Sequence, residues 1–224
     1  MEYDKYLAMF FIALDNVKEK YLVYNNEPDD NDSDKEKYIE HVERVFAYEL
    51  YRQWANLLEN DEEYVLNAEI GKSGTHCMEG YKRYDEDNAW KKYMGDKTSI
   101  YPDMVLHSGQ GTLKHKIVCE IKRNKSVDGN NMMADLKKLM FMTSDNFCSK
   151  NPYEYGIFLL FDTTFEKIVE SLDVNSIKVF EHENNFEKII LVSYGFSDRE
   201  NHKDLKIEFD TLANVFFPLS YRGY

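Results

Sequence analysis

The sequence predicts a single α/β domain, a mixed β-sheet flanked by helices, with an extra helix at the N-terminal end and added strands at the C-terminal end. Two long segments with apolar residues at helical spacing come before position 58. Between positions 64 and 123 the pattern changes to short apolar runs, two of them joined by the turn-forming SGQG. A helical segment, a wholly apolar strand and a second helical segment follow, and two more strand-like runs close the chain.

The first segment, Met1 to about Tyr24, sets Leu7, Phe10, Phe11, Leu14, Val17 and Tyr21 at helical spacing. Residues 26–36 (NEPDDNDSDKE) are acidic and broken by Pro28, which predicts an exposed loop. Asp34 is placed to cap a second helix running to about Leu58. On that helix Val42, Phe46, Leu50, Trp54 and Leu57 form one stripe. Tyr64 to Ile70 predicts a strand, and 76–99 a polar, aromatic-rich insertion without a period. Ser99 to His107 and Leu113 to Arg123 predict a hairpin. Asn130 to Thr143 predicts a helix, and Tyr155 to Phe161 (YGIFLLF) a buried strand. Thr164 to Leu172 predicts a helix, and Lys188 to Tyr194 and Leu205 to Phe209 the last strands.

Composition bounds the classes of function. With 224 residues, 43% hydrophobic and 15% aromatic, the chain can bury one sizeable core and does not read as disordered. Residues 1–224 read as one domain with a core over about 34–162, an N-terminal helix over 1–24 and a C-terminal extension over 163–224. The formal net charge of −13 argues against a tight, nonspecific grip on duplex DNA, which needs positive surface at the phosphates. A local positive groove stays compatible with it. Cys77, Cys119 and Cys148 are odd in number and show no zinc spacing, so they read as reduced thiols of a cytoplasmic protein. The longest apolar run, Leu7 to Leu14, is too short for a bilayer and follows Glu2 and Asp4, so neither a membrane span nor a signal peptide is expected. IGKSG at 70–74 lacks the earlier glycine of a phosphate-binding loop, whose place Leu66 takes, and reads as a simple tight turn.

The chemistry concentrates in IVCEIK, 117–122. Side chains alternate along a strand, so Ile117, Cys119 and Ile121 face one way and Val118, Glu120 and Lys122 the other. Charges set mid-strand in an apolar run are costly unless they are paired or bind a metal. Across the hairpin, Asp103 follows Pro102 and comes opposite residues close to Val118, so its carboxylate can approach that of Glu120. Two adjacent carboxylates repel and call for a cation. Magnesium suits a few carboxylates completed by water and phosphate oxygens. Glu49 falls inside the apolar stripe of the second helix, where an acid needs a partner in the sheet; Glu43 lies at the edge of that stripe and is its substitute.

Glu49, then Pro102-Asp103, then sixteen residues and Glu120-Ile121-Lys122, resembles the PD-(D/E)XK nuclease superfamily, the restriction-endonuclease-like fold. The resemblance covers roughly Asp34 to Asp162. The bare motif is weak, and its context, with both halves on strands and a turn between them, raises it. The resemblance implies a metal-dependent nuclease that cleaves phosphodiester bonds, with DNA the expected substrate. It implies that Asp103, Glu120, the backbone carbonyl of Ile121 and Glu49 hold magnesium or manganese, and that Lys122 orients or helps to deprotonate the attacking water. It also implies a homodimer as the assembly that cuts both strands, although the sequence carries no dimer signature. The alternative is a nuclease-fold protein without catalysis that acts as a binding or assembly module.

Basic residues around the motif are candidate nucleic-acid contacts. Lys125 follows the motif strand, Lys137 and Lys138 lie on the next helix, and Lys82 and Arg83 lie in the aromatic-rich insertion. Arg123 has the same standing at the strand end. The competing reading for the helix lysines is a solvated face. His107 and His115 are expected to meet across the hairpin as a sheet contact rather than a metal site.

Overall fold

The computed structural model describes residues 4–22, 35–68, 101–108, 114–123, 129–145, 147, 151–173, 175, 177, 186–198 and 203–216. Helix α1 spans Lys5–Asp15 and starts at Asp4, whose carboxylate accepts hydrogen bonds from the N–H groups of Tyr6 (2.9 Å) and Leu7 (3.2 Å). It ends nine residues before Tyr24, the end that the periodicity predicts. Lys18 is extended (φ −73°, ψ 148°) and leads into a single 3-10 turn, Glu19–Tyr21. Helix α2 covers Lys35–Leu57; Asp34 and the insertion at 76–99 lie outside the described residues.

The strands are β1 (Tyr64–Ala68), β2 (Met104–Ser108), β3 (His115–Arg123), β4 (Tyr155–Phe161), β5 (Ile189–Asp198) and β6 (Lys203–Thr211). Helix α3 (Gly129–Met142) joins β3 to β4, α4 (Phe165–Ser171) lies between β4 and β5, and α5 (Leu212–Phe216) follows β6. The six strands form one sheet in sequence order, β1-β2-β3-β4-β5-β6. The steps from β1 to β3 are antiparallel, those from β3 to β5 parallel, and the last is antiparallel. Parallel neighbours need a crossover, and α3 supplies it between β3 and β4. The fold is therefore α/β, a mixed six-stranded sheet flanked by helices, and β5 and β6 continue that sheet.

Each face of the sheet has its own core. On one, Phe10 and Leu14 of α1 and Phe46, Leu50 and Trp54 of α2 pack against Leu106, Ile117, Cys119, Ile121, Leu159 and Tyr194. Phe46 stacks on Phe161 at 4.1 Å, and the Trp54 ring meets Phe10 edge-on at 5.2 Å. On the other face, Met132, Leu136, Leu139 and Met140 of α3 pack against Val118, Phe158, Leu160 and Leu191. The alternation expected in IVCEIK thus holds: Ile117, Cys119 and Ile121 go to the α2 face, and Val118 goes to the α3 face. Among the described residues no helix is long and apolar enough to cross a membrane.

Candidate functional site

The site grows out of the β2–β3 register. Met104 pairs with Cys119, so one step further brings Asp103 level with Glu120. Met104 and Leu106 belong to the α2-side core, and Val105 packs on the α3 side. By alternation Asp103 shares the α3 side with Glu120 and Lys122. Asp103 does not simply open a local turn: its Oδ2 accepts a 2.6 Å hydrogen bond from the backbone N–H of Ile121.

Helix α3 closes this side of the pair. Asp135 and Lys138 lie one turn apart on the flank of its apolar stripe. Lys138 Nζ stands 2.7 Å from Glu120 Oε2 and 2.7 Å from Asp135 Oδ1. The other oxygen of Asp135, Oδ2, lies 3.6 Å from Lys122 Nζ. The site therefore gathers the carboxylates of Asp103, Glu120 and Asp135 around the ammoniums of Lys122 and Lys138. Ionised in full, it would hold one surplus negative charge.

Burial, ahead of that surplus, sets the titration of the pair. Burial pushes the Asp103 carboxyl up to about 6, against the pull of Lys122 and the Ile121 N–H. Burial also pushes Glu120 well above the usual carboxylate range; the Lys138 ammonium opposes this, and the Asp103 and Asp135 carboxylates add to it. Burial alone would lower the Lys122 ammonium, but the carboxylates of Asp135 and Asp103 outweigh it and hold it above its ordinary value. Lys138 is raised by the same balance, with Glu120 and Asp135 as its charges.

Glu120 is 1% exposed, and its Oε1 has no hydrogen-bond partner. An anionic oxygen left in this state is costly, and a small hard cation that coordinates it removes the cost. The donor set of Asp103 and Glu120 therefore fits a divalent ion whose remaining positions are filled by water and phosphate oxygens. Among the described residues no three His, Cys, Asp or Glu side chains are already arranged to hold a metal. Asp135 is turned to the two lysines instead.

The helix acid needs a correction. Glu49 is buried as its stripe position demands, but its carboxylate binds Arg52 (2.9 and 2.7 Å) and Gln53 (2.7 Å) on its own helix. The Arg52 bond chiefly holds its carboxyl down at about 2. Among the described side chains of α2, the acid that meets β3 is Glu43, whose Oε1 accepts a 2.9 Å hydrogen bond from the Arg123 N–H. Helix α2 lies on the opposite face of the sheet from Asp103, Glu120 and Lys122, and a helix phase read from sequence cannot say where its residues meet the strands.

The basic candidates divide. Lys138 turns into the site, and Lys137 beside it is half-buried. Arg123 is not a surface contact: it is 1% exposed, with Nε 3.2 Å from Asp162 Oδ2. Lys125, Lys82 and Arg83, together with IGKSG, Cys77 and Cys148, lie outside the described residues. His107 and His115 do pair across β2 and β3, and their rings bind elsewhere: His107 to Asn67 and His115 to the Asn151 carbonyl. The residue that sequence reasoning missed is Asp135. The available signal was an acid beside the apolar stripe of the helix that follows Glu-x-Lys, with a lysine one turn on.

No family model, curated protein or solved structure matches the chain.

Proposed function

We propose that the chain is a metal-dependent phosphodiester hydrolase of the PD-(D/E)XK type, built on a restriction-endonuclease-like fold, with DNA as its substrate class. The observation that carries this reading is the placement of Asp103 level with Glu120 on one face of the sheet, with Glu120 Oε1 buried and unpartnered. An antiparallel β1–β2–β3 meander followed by a helical crossover to a parallel β4 agrees with that fold.

In this reading Asp103 and Glu120, with the carbonyl of Ile121, hold magnesium or manganese. The bound ion would polarise the phosphate and lower the pKa of water. Lys122, kept charged by Asp135, is held on the same face and orients the attacking water. Asp103 keeps its aim through the Ile121 N–H. Glu49 has no part in the metal site, and Glu43 anchors the end of β3.

One observation favours the inactive binding module as a second reading: Lys138 already neutralises Glu120. The test is manganese titration by calorimetry of wild type and of Asp103→Asn/Glu120→Gln, paired with cleavage of plasmid and single-stranded DNA. Binding and cleavage that both vanish in the double variant support the nuclease. Wild type that binds no manganese in the presence of DNA supports the module.

A further inference from the structure

Lys138 holds one oxygen of the carboxylate whose other oxygen, Glu120 Oε1, is open to a metal ion. Its Nζ bridges Glu120 Oε2 and Asp135 Oδ1 at 2.7 Å each, and its side chain is only 12% exposed. The lysine of the Glu-x-Lys motif does not do this job, since Lys122 reaches Asp135 at 3.6 Å. The two lysines have separate partners, and the most deeply buried acid of the site is neutralised from helix α3.

An ammonium and a divalent ion on one carboxylate repel strongly at such distances. They compete for Glu120. We propose that Lys138 is the resident counter-cation of the metal-free site, and that a divalent ion binding at Glu120 displaces it, leaving its ammonium on Asp135 and free to meet a substrate phosphate. This rests on the reading of Asp103 and Glu120 as the metal-binding pair.

Two features of the site make the exchange feasible. Lysine carries a compact charge on a flexible four-carbon stem, so Nζ can leave Glu120 while α3 stays in place. Asp135, one turn back on the same helix, already holds the ammonium, so departure from Glu120 does not strand a buried charge. The displaced ammonium has an N–H donor left without an acceptor, and a phosphodiester oxygen can accept it. Metal and nucleic acid therefore bind cooperatively, and each alone binds weakly.

The experiment is manganese calorimetry on the full chain: wild type, Lys138→Met, Lys138→Arg and Asp103→Asn/Glu120→Gln, each with and without a nonhydrolysable phosphorothioate oligonucleotide. Loss of the competing charge should tighten manganese binding in Lys138→Met by about tenfold or more. It should also erase the gain in manganese affinity that the oligonucleotide gives wild type. Lys138→Arg keeps the charge and should bind manganese no more tightly than wild type. Wild type that binds manganese through Asp103 and Glu120, with Lys138→Met binding equally or more weakly, overturns the exchange and leaves the metal site standing. If neither wild type nor Lys138→Met binds the ion, the metal site itself falls, and the exchange with it. Should Lys138→Met be unfolded without metal, manganese is titrated against its circular dichroism. Recovery of the fold supports the exchange, because the ion then replaces the ammonium; persistence of the unfolded state overturns it.

Discussion

Asp103 Oδ2 lies 2.6 Å from the backbone nitrogen of Ile121, so the acid that precedes β2 is held by the strand that carries Glu120. The bond separates two roles of one side chain. Asp103→Asn keeps an oxygen to accept the Ile121 N–H but loses the charge. Asp103→Ala loses both. Manganese binding should vanish in both variants. Stability to urea should fall by about 1 kcal/mol more in the alanine variant, the ordinary worth of one hydrogen bond. Equal stability of the two variants would show that the bond does not contribute to the fold.

The titration of the pair sets a pH window. Asp103 rises to about 6 in the folded protein, above its value in the unfolded chain. The folded state therefore holds that proton more tightly, and the associated stability is complete below about pH 4 and lost as pH rises through about 6. Metal binding has the opposite slope, because the ion needs both carboxylates ionised. Manganese affinity should climb between about pH 5 and about pH 7 and loading should release protons, read by calorimetry in buffers of different ionisation enthalpy. An affinity flat across that window would contradict ionised Asp103 as a ligand of the ion.

The motif strand was legible because a strand has a strict period of two. Placing Glu120 in IVCEIK fixed Val118 and Lys122 on its face, and the hairpin then brought Asp103 level with it. The helices were legible only in their own frame. Periodicity correctly buried Glu49, yet its carboxylate binds Arg52 and Gln53 of the same helix and Tyr21 of the turn after α1, while Glu43, on the edge of the stripe, reaches β3. Lys138 and Asp135 were harder still. A charged side chain flanking an apolar stripe looks the same in sequence whether it meets solvent or a buried acid across a crossover. Only the packing of α3 on β3 separates the two cases.

The difference between the two α2 acids is open to mutation. Glu49→Ala breaks the bonds to Arg52 and Gln53 and should leave manganese affinity unchanged. Glu43→Ala leaves the Arg123 N–H without its acceptor at the end of β3, next to Lys122. It should cost about 1–3 kcal/mol of stability in urea. A loss of manganese binding in Glu49→Ala with Glu43→Ala normal would restore Glu49 to the site.

Gly195 tests the frame beneath these contacts. A Cβ on it would lie 2.5 Å from the Thr163 carbonyl oxygen and 2.8 Å from its nitrogen, both backbone atoms. The neighbouring Asp162, at φ 62°, donates its N–H to the Tyr194 carbonyl at 2.8 Å and pairs through Oδ2 with Arg123. Gly195→Ala must push this turn off β5 and should destabilise by about 1–3 kcal/mol. Gly156, whose nearest neighbour is the Thr143 side chain at 3.2 Å, should tolerate alanine better. Thermal unfolding of the two variants side by side ranks them.

Asp135 is best separated from a metal ligand by its effect on Lys122. Its carboxylate leads the charges that hold the Lys122 ammonium above its ordinary value, so Asp135→Asn lowers that value. If Lys122 works as an ammonium, the alkaline limb of the cleavage profile should move to lower pH in Asp135→Asn, and Asp135→Glu should move it back. The asparagine variant also removes one of the two negative charges facing Lys138 while keeping an oxygen that can accept from it, which should destabilise the metal-free protein by about 1–3 kcal/mol. A positioning residue changes the pH profile while manganese still binds at Asp103 and Glu120. Loss of manganese binding in Asp135→Asn, with the pH profile unmoved, would make Asp135 a third ligand instead.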